Sequence, residues 1–445
     1  MATKENSYSV LMLPWLAYGH ISPFLELGKQ LTKRNFFVYL CSTPINLSSI
    51  KYKITSKYSH SIQLVELNLP TLPDLPPHYQ TTNGLPPHLM PTLREAFDLA
   101  EDNFSNIVKS LNPDLVVYDF IPPWAPAIAS SYGIPAVPFI TTGAAASCFM
   151  CSLSKYTYFP FPSIYTYDFA RESLSKKVQL LAHGLTDADH VSQCKERSSK
   201  MVLIKSFKEI EGKYINYYSM LTNEKVVPVG PLVQDVVEQD KQKDIIQWLD
   251  NKEESSVVFV SFGSEYFLTH EELEETAYGL ELSKVSFIWV VRFPTGENIK
   301  LEEALPRGFL ERVGQTGKVL EGWAPQRYIL GHSSVGGFVS HCGWGSTMET
   351  MKLGVPIIAM PMHLDQPYNA RLIEEVGVGL EPKRDNSGRL QRGEIAKVIR
   401  EVMVGESGKN IKKKAKELSD TMLKKGEEEI DLVVDELVQL FKGGN

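Results

Sequence analysis

The side chains able to do chemistry in this chain gather in three places. His20 stands in Gly19-His20-Ile21-Ser22-Pro23, between an apolar run at 10–13 and a helix-period stretch. Asp119 directly follows the apolar run 115–118. A histidine moves protons near neutral pH, and a carboxylate can hold its tautomer. Each alone has an ordinary structural explanation: a satisfied histidine at an element junction, and a carboxylate capping a helix. The third place is a run, Trp323-Ala324-Pro325-Gln326 … His341-Cys342-Gly343-Trp344-Gly345-Ser346 … Glu349 … Gly354-Val355-Pro356 … Asp365-Gln366. Within it Phe338-Val339-Ser340 reads as a buried strand, 341–346 as a glycine-containing turn, and Thr347 onward as a helix. Such a junction aims unpaired backbone N–H groups and the positive end of the helix dipole at one spot. His341 and Ser346 add side-chain donors there, and a diphosphate fits. Neither a Walker A loop nor a G-x-G-x-x-G accompanies the turn, which argues against a nucleoside-triphosphate hydrolase or an NAD enzyme.

Two other patterns carry less. Asp187-Ala188-Asp189 is a D-x-D of the metal–diphosphate type, but it lies in a polar stretch, 184–190, with no apolar strand before it. Carboxylates so placed are usually solvated surface, and no metal site is expected. Cys148 and Cys151 form a C-x-x-C in a Ser/Ala-rich stretch with no second Cys or His pair beside it. They read as cysteines on a helix face. The five cysteines are odd in number and scattered, unlike a disulfide framework.

The elements that must position these residues alternate short β-branched runs with amphipathic stretches, the pattern of a parallel sheet wound with helices. In the first half, strands are predicted at 10–13, 37–41, 62–67, 115–118, 136–140 and 202–204. In the second half they fall at 257–261, 287–291, 318–320, 337–340 and 356–359. A charged segment, 234–244, separates the halves and reads as a linker. The expected organisation is an N-terminal domain at 1–233, a linker at 234–245, a C-terminal domain at 246–425 and a final helix at 426–445. In that helix Ile430, Val433, Val434, Leu437 and Phe441 share one face, which must cover apolar surface and suits packing back toward the first domain. The stretch 70–91 is dense in proline and reads either as an acceptor-side rim or as a plain surface excursion.

A length of 445 residues, 43% hydrophobic and 22% charged, supplies two packed cores. The formal net charge of −7 leaves no basic surplus for phosphate backbones, so nucleic acid is not an expected partner. No run of eighteen apolar residues exists, which predicts no spanning helix and a cytoplasmic protein.

The 44 residues from Trp323 to Gln366 resemble, in order, spacing and chemistry, the signature box of plant family 1 UDP-dependent glycosyltransferases. The similarity extends to Val260-Ser261-Phe262-Gly263-Ser264, Gly19-His20 and Val229-Gly230-Pro231. The resemblance implies an α/β protein of GT-B fold: two Rossmann-like domains facing each other, with the active site in the cleft and the donor held mainly by the second. It implies that Trp323 stacks on uracil and the Ala324 backbone reads the uracil edge. Gln326 and Glu349 would hold the ribose, and Ser264, His341 and Ser346 the diphosphate. Trp344, Asp365 and Gln366 would contact the transferred sugar. His20 and Asp119 match the family's catalytic pair, His20 as the base for the acceptor hydroxyl and Asp119 as its orienting carboxylate. The sequence departs from the family at Gly345, where Asn is usual beside a phosphate, and at Met360, where Trp is common. At Gly345 either a backbone N–H stands in for the missing amide or the donor is held more weakly.

The function expected from the resemblance is inverting, metal-independent transfer of glucose from UDP-glucose, with no cofactor. Within the family, Pro14-Trp15, 82–86, Trp124-Ala125-Pro126, 262–267 and 361–366 are most similar to the branch that extends existing glycosides. The acceptor is therefore expected to be the sugar of a triterpenoid, flavonoid or lignan glycoside. The alternatives are direct glucosylation of an aglycone, a UDP-sugar epimerase, or a non-catalytic binding protein.

Overall fold

The computed structural model describes residues 8–165, 181–182, 185–186, 193–194, 197–233, 243–294 and 299–442. The chain divides into two units. One comprises Met1–Phe159, Ser175–Gln234 and Lys425–Asn445, the other Pro160–Leu174 and Asp235–Lys424.

Among the described residues, the first unit carries a seven-stranded parallel sheet. Its strands are β1 (Tyr8–Leu13), β2 (Phe36–Ser42), β3 (Ile62–Glu66), β4 (Leu115–Asp119), β5 (Ala136–Ile140), β8 (Met201–Ile204) and β9 (Lys225–Pro228). A short antiparallel pair, β6 (Leu181–Ala182) and β7 (Leu185–Thr186), precedes β8. The sheet order is β3-β2-β1-β4-β5-β8-β9. Successive side chains of a strand point to opposite faces, so one apolar run feeds two cores. Leu11, Leu13, Val116 and Tyr118 enter one cluster, while Val10, Met12, Leu115 and Val117 enter another.

The second unit repeats the plan with β10 (Val257–Ser261), β11 (Ser286–Val291), β12 (Gly317–Glu321), β13 (Val335–Ser340), β14 (Ile357–Ala359) and β15 (Gly379–Leu380). These lie parallel in the order β12-β11-β10-β13-β14-β15. Val258 and Val260 pack on one face, and Val257 and Phe259 on the other.

Two placements differ from or extend the sequence reading. Pro160–Leu174, expected within 1–233, groups with the second unit. Tyr165 is the reason: its hydroxyl accepts from Arg371 Nη1 at 2.8 Å, and the guanidinium lies 5.0 Å from its ring centroid. Ser163 also donates to Glu375 in the same unit. The last helix, Glu406–Lys442, begins in the second unit, and its portion from Lys425 belongs to the first. There Ile430, Val433 and Leu437 bury beside Val10 and Met12, and Phe441 stacks on Tyr8 at 4.5 Å. Arg34 Nε donates to Asp431 at 2.7 Å. The Asp187-Ala188-Asp189 motif and residues 234–242 of the expected linker lie outside the described residues. Among the described residues no helix is long and apolar enough to cross a membrane.

Candidate active site

In an open α/β sheet, ligands bind beyond the carboxyl ends of the strands where the strand order reverses. Each sheet has such a point, between β1 and β4 in the first unit and between β10 and β13 in the second. The residues singled out from the sequence fall beside both.

In the first unit, β1 leads through Pro14–Ala17 into the helix Tyr18–Thr32, which places His20 in the first turn. Asp119 ends β4 and is fully buried. Its Oδ2 lies 2.8 Å from His20 Nδ1 and accepts from the Trp15 backbone N–H at 3.1 Å. An ionised Asp119 accepts from Nδ1–H, which makes Nε2 the basic nitrogen. A third partner was not foreseen: Thr141, just past β5, puts its Oγ1 3.1 Å from the same Nδ1. The three groups lie at or just beyond the ends of three neighbouring strands, and both partners hold the imidazole at Nδ1. Its side chain keeps 20% of its surface, enough to meet a ligand.

The proline-dense stretch is sewn beneath this junction. Thr82 N donates to the Leu16 carbonyl at 2.9 Å, and Thr43 Oγ1 donates to the Gln80 carbonyl at 2.8 Å. Thr81 and Thr82 are buried. The stretch therefore supports the segment that delivers His20.

In the second unit, β13 ends at Ser340 and the helix Trp344–Leu353 begins four residues later. Its first intrahelical bond is Thr347 N to the Gly343 carbonyl. The N–H groups of Gly345 and Ser346 thus precede the ladder and are available to an anion. Cys342 holds the turn in the left-handed region, φ 63°, with its N–H donating to Ser340 Oγ at 3.0 Å. His341 lies between two glycines. A Cβ added to either Gly263 or Gly343 would come 2.5 Å from His341 Nε2. Burial pushes the imidazole down to about 4, while the Ser261 carbonyl favours the protonated ring. At neutral pH His341 is uncharged, and an adjacent diphosphate would draw it back toward the imidazolium.

The remaining positions surround this turn. Ser264 follows β10 across the switch point and is half-buried. Trp323 is 55% exposed, while Ala324 beside it is buried. Gln326 Nε2 donates to Glu349 Oε2 at 2.7 Å and to Ser346 Oγ at 3.2 Å, tying three of the singled-out residues together. Trp344 is buried at the helix start, and Gly345 is exposed in its first turn. Asp365 is the N-cap of the helix Gln366–Val376. Gln366 is buried and accepts the N–H groups of Met362 and His363 on Oε1, at 2.9 and 3.0 Å, so what its amide has left to offer is chiefly a donor. Tyr266 packs its ring 5.1 Å from that of His363, bracing the same loop from the β10 side.

Outside these places the structure offers little. Cys148 and Cys151 are free, buried thiols on the helix Ala144–Ser154. Among the described residues, no group of three or more His, Cys, Asp or Glu side chains is gathered as a metal site requires.

The family model described as UDP-glucoronosyl and UDP-glucosyl transferase matches residues 164–434. A glycosyltransferase N-terminal domain model matches residues 6–234. The chain belongs to the UDP-glycosyltransferase family. It is 56% identical to UDP-glucosyltransferase 29 of Panax ginseng, with 99% of each chain covered. It is 50% identical to the β-D-glucosyl crocetin β-1,6-glucosyltransferase of Gardenia jasminoides, covering 96% of this chain and 98% of that one. In fold, this transferase is similar to Glycyrrhiza uralensis UGT73P12, solved with glycyrrhetinic acid 3-O-monoglucuronide, with a TM-score of 0.84. That likeness covers 98% of this chain and 96% of the other at 24% identity. The UDP-glycosyltransferase is thus an enzyme of the GT-B class, with two Rossmann-like units.

Proposed function

We propose that this transferase moves glucose from UDP-glucose, with inversion and without a metal, onto a sugar hydroxyl of a small-molecule plant glycoside. The observation that carries the catalytic half is the bond from His20 Nδ1 to the buried Asp119 at the switch point of the first sheet. His20 Nε2 takes the proton of the acceptor hydroxyl as that oxygen attacks the anomeric carbon, and the carbon–oxygen bond to UDP breaks on the opposite face. Asp119 holds the tautomer and stabilises the imidazolium that develops. An α-linked donor then yields a β-linked product.

The second unit supplies the donor contacts. The Trp323 face suits uracil, a stack worth about 1–3 kcal/mol. Gln326 and Glu349 suit the ribose hydroxyls. The first-turn N–H groups of the helix Trp344–Leu353, with His341, Ser346 and Ser264, oppose the charge growing on the leaving diphosphate. The Gly345 N–H belongs to that set, so it can serve where relatives use an amide side chain. A helix dipole and a protonatable histidine do there what a divalent cation does elsewhere, which supports independence from metal. Asp365 accepts from, and Gln366 donates to, hydroxyls of the transferred sugar.

The acceptor class rests on the similarity to a relative named as a β-D-glucosyl crocetin β-1,6-glucosyltransferase. The test is mass spectrometry after incubation with UDP-glucose and EDTA, using paired aglycones and monoglucosides. Gain of one hexose by monoglucosides alone is the expected result. Equal reaction of aglycones would defeat the acceptor claim, and loss of transfer in EDTA, restored by added Mg²⁺, would defeat metal independence.

A further inference from the structure

Asn369 lies three residues beyond the Trp323–Gln366 run, in the helix Gln366–Val376, and its side chain is fully buried. Its amide nitrogen donates to the Cys342 carbonyl at 2.9 Å and to Asp365 Oδ2 at 2.9 Å. Both neighbours are acceptors, so the nitrogen and not the oxygen must face them. One amide therefore spans two parts of the donor half-site: the left-handed turn that carries His341, and the carboxylate of the residue just before the next helix. The amide oxygen, Oδ1, is buried with no hydrogen-bond partner. Burying an unpaired carbonyl is unfavourable, and an apolar side chain of similar volume would avoid it. What an apolar side chain could not do is make the two donations.

We propose that Asn369 is a positioning residue that locks the anion-binding turn to Asp365, so that recognition of the donor's sugar depends on it. The proposal rests on the reading of Asp365 as a sugar contact. The geometry separates Asn369 from its neighbour Gln366, whose oxygen is committed to the Met362 and His363 N–H groups. Gln366 is held by the loop before the helix, whereas Asn369 ties Asp365 across to the turn that follows β13. Without the amide, the Cys342 carbonyl and the Asp365 carboxylate each lose this donor.

The test needs no acceptor. Calorimetry on the full chain gives the dissociation constants of UDP and of UDP-glucose, and their ratio isolates what the sugar contributes. Asn369→Ala should shift that ratio against UDP-glucose by about tenfold, the scale of one hydrogen bond to a charged group. Asn369→Ser keeps one donor and should fall between Ala and the unmodified protein, which guards against a folding defect in the alanine variant. Asp365→Ala should shift the ratio as well, and in that background Asn369→Ala should add nothing. Equal shifts with and without Asp365 would overturn the proposal, because Asn369 would then act by another route. So would an unchanged ratio in Asn369→Ala while Asp365→Ala shifts it. An unchanged ratio in Asp365→Ala would instead defeat the donor-site reading itself, and this proposal with it.

Discussion

Replacing Gly263 by alanine should damage nucleotide binding through His341 alone. The new Cβ would sit 2.5 Å from Nε2, 2.7 Å from Cε1 and 3.3 Å from Cδ2 of that ring. Comfortable contacts between such atoms are about 3.5–4.0 Å, so the overlap is close to 1 Å. The ring lies close against both glycines, with no room for a Cβ at either. His341 is then expected to leave its place in the turn and lose the diphosphate contact proposed for it. A hydrogen bond to a charged group contributes about 1.5–3 kcal/mol, which corresponds to UDP binding weaker by roughly 10- to 150-fold. Gly263 also has φ +78°, where an L-residue costs about 1–2 kcal/mol, so the variant should melt at a lower temperature too. Gly343→Ala separates the two effects: its φ of −57° suits alanine, yet it crowds the same nitrogen. It should weaken UDP comparably with less loss of stability. Gly19→Ala is the control, since nothing lies within 4 Å of its added Cβ. Titration calorimetry with UDP and thermal unfolding decide the matter. If both Gly263→Ala and Gly343→Ala bind UDP within about threefold of the unmodified protein while His341→Ala does not, the steric reasoning is wrong.

Two further outcomes are expected. Asp119→Asn keeps the shape but turns a donor toward the Trp15 N–H or His20 Nδ1, disfavouring the needed tautomer. Turnover should fall on the order of 10³–10⁴-fold with the KM for UDP-glucose little changed, and a loss under about tenfold in steady-state kinetics would contradict the assigned role. Glu211 is fully buried and accepts from Ala145 N and Ser206 Oγ; burial, partly offset by those bonds, raises its pKa from 4.5 to about 7. Its carboxyl is more protonated folded than unfolded between those values, so its contribution to stability is present at low pH and is lost as pH rises through about 7. Thermal melts should show Glu211→Gln gaining on the unmodified protein from pH 5 to pH 8, and a pH-independent difference would refute the assignment.

Much of the site's chemistry was written in local sequence. The strand, glycine turn and helix start around His341 are consecutive residues, and their joint power to hold an anion follows from backbone N–H groups alone. Most strands were legible too, because a parallel strand buried on both faces is a short apolar run. The exceptions have physical causes. Leu181–Ala182, Leu185–Thr186 and Gly379–Leu380 are too brief to show a period, and Lys225–Pro228 merges into the apolar run before the linker.

The sequence by itself therefore determined the two-fold α/β plan and the order and types of the groups in the Trp323–Gln366 run. It could not decide which strands lie side by side. His20, Asp119 and Thr141 are separated by 99 and 121 residues and meet only because β1, β4 and β5 are neighbours in the sheet. Gly263 faces His341 only because β10 pairs with β13. Asn369 reaches Cys342 only because the helix Gln366–Val376 returns beside the turn. Local periodicity says that a residue is on a strand or a helix face. The pairing of strands and the packing of helices are set by non-local burial, and so the partners that hold each functional side chain in place became visible only in the tertiary structure.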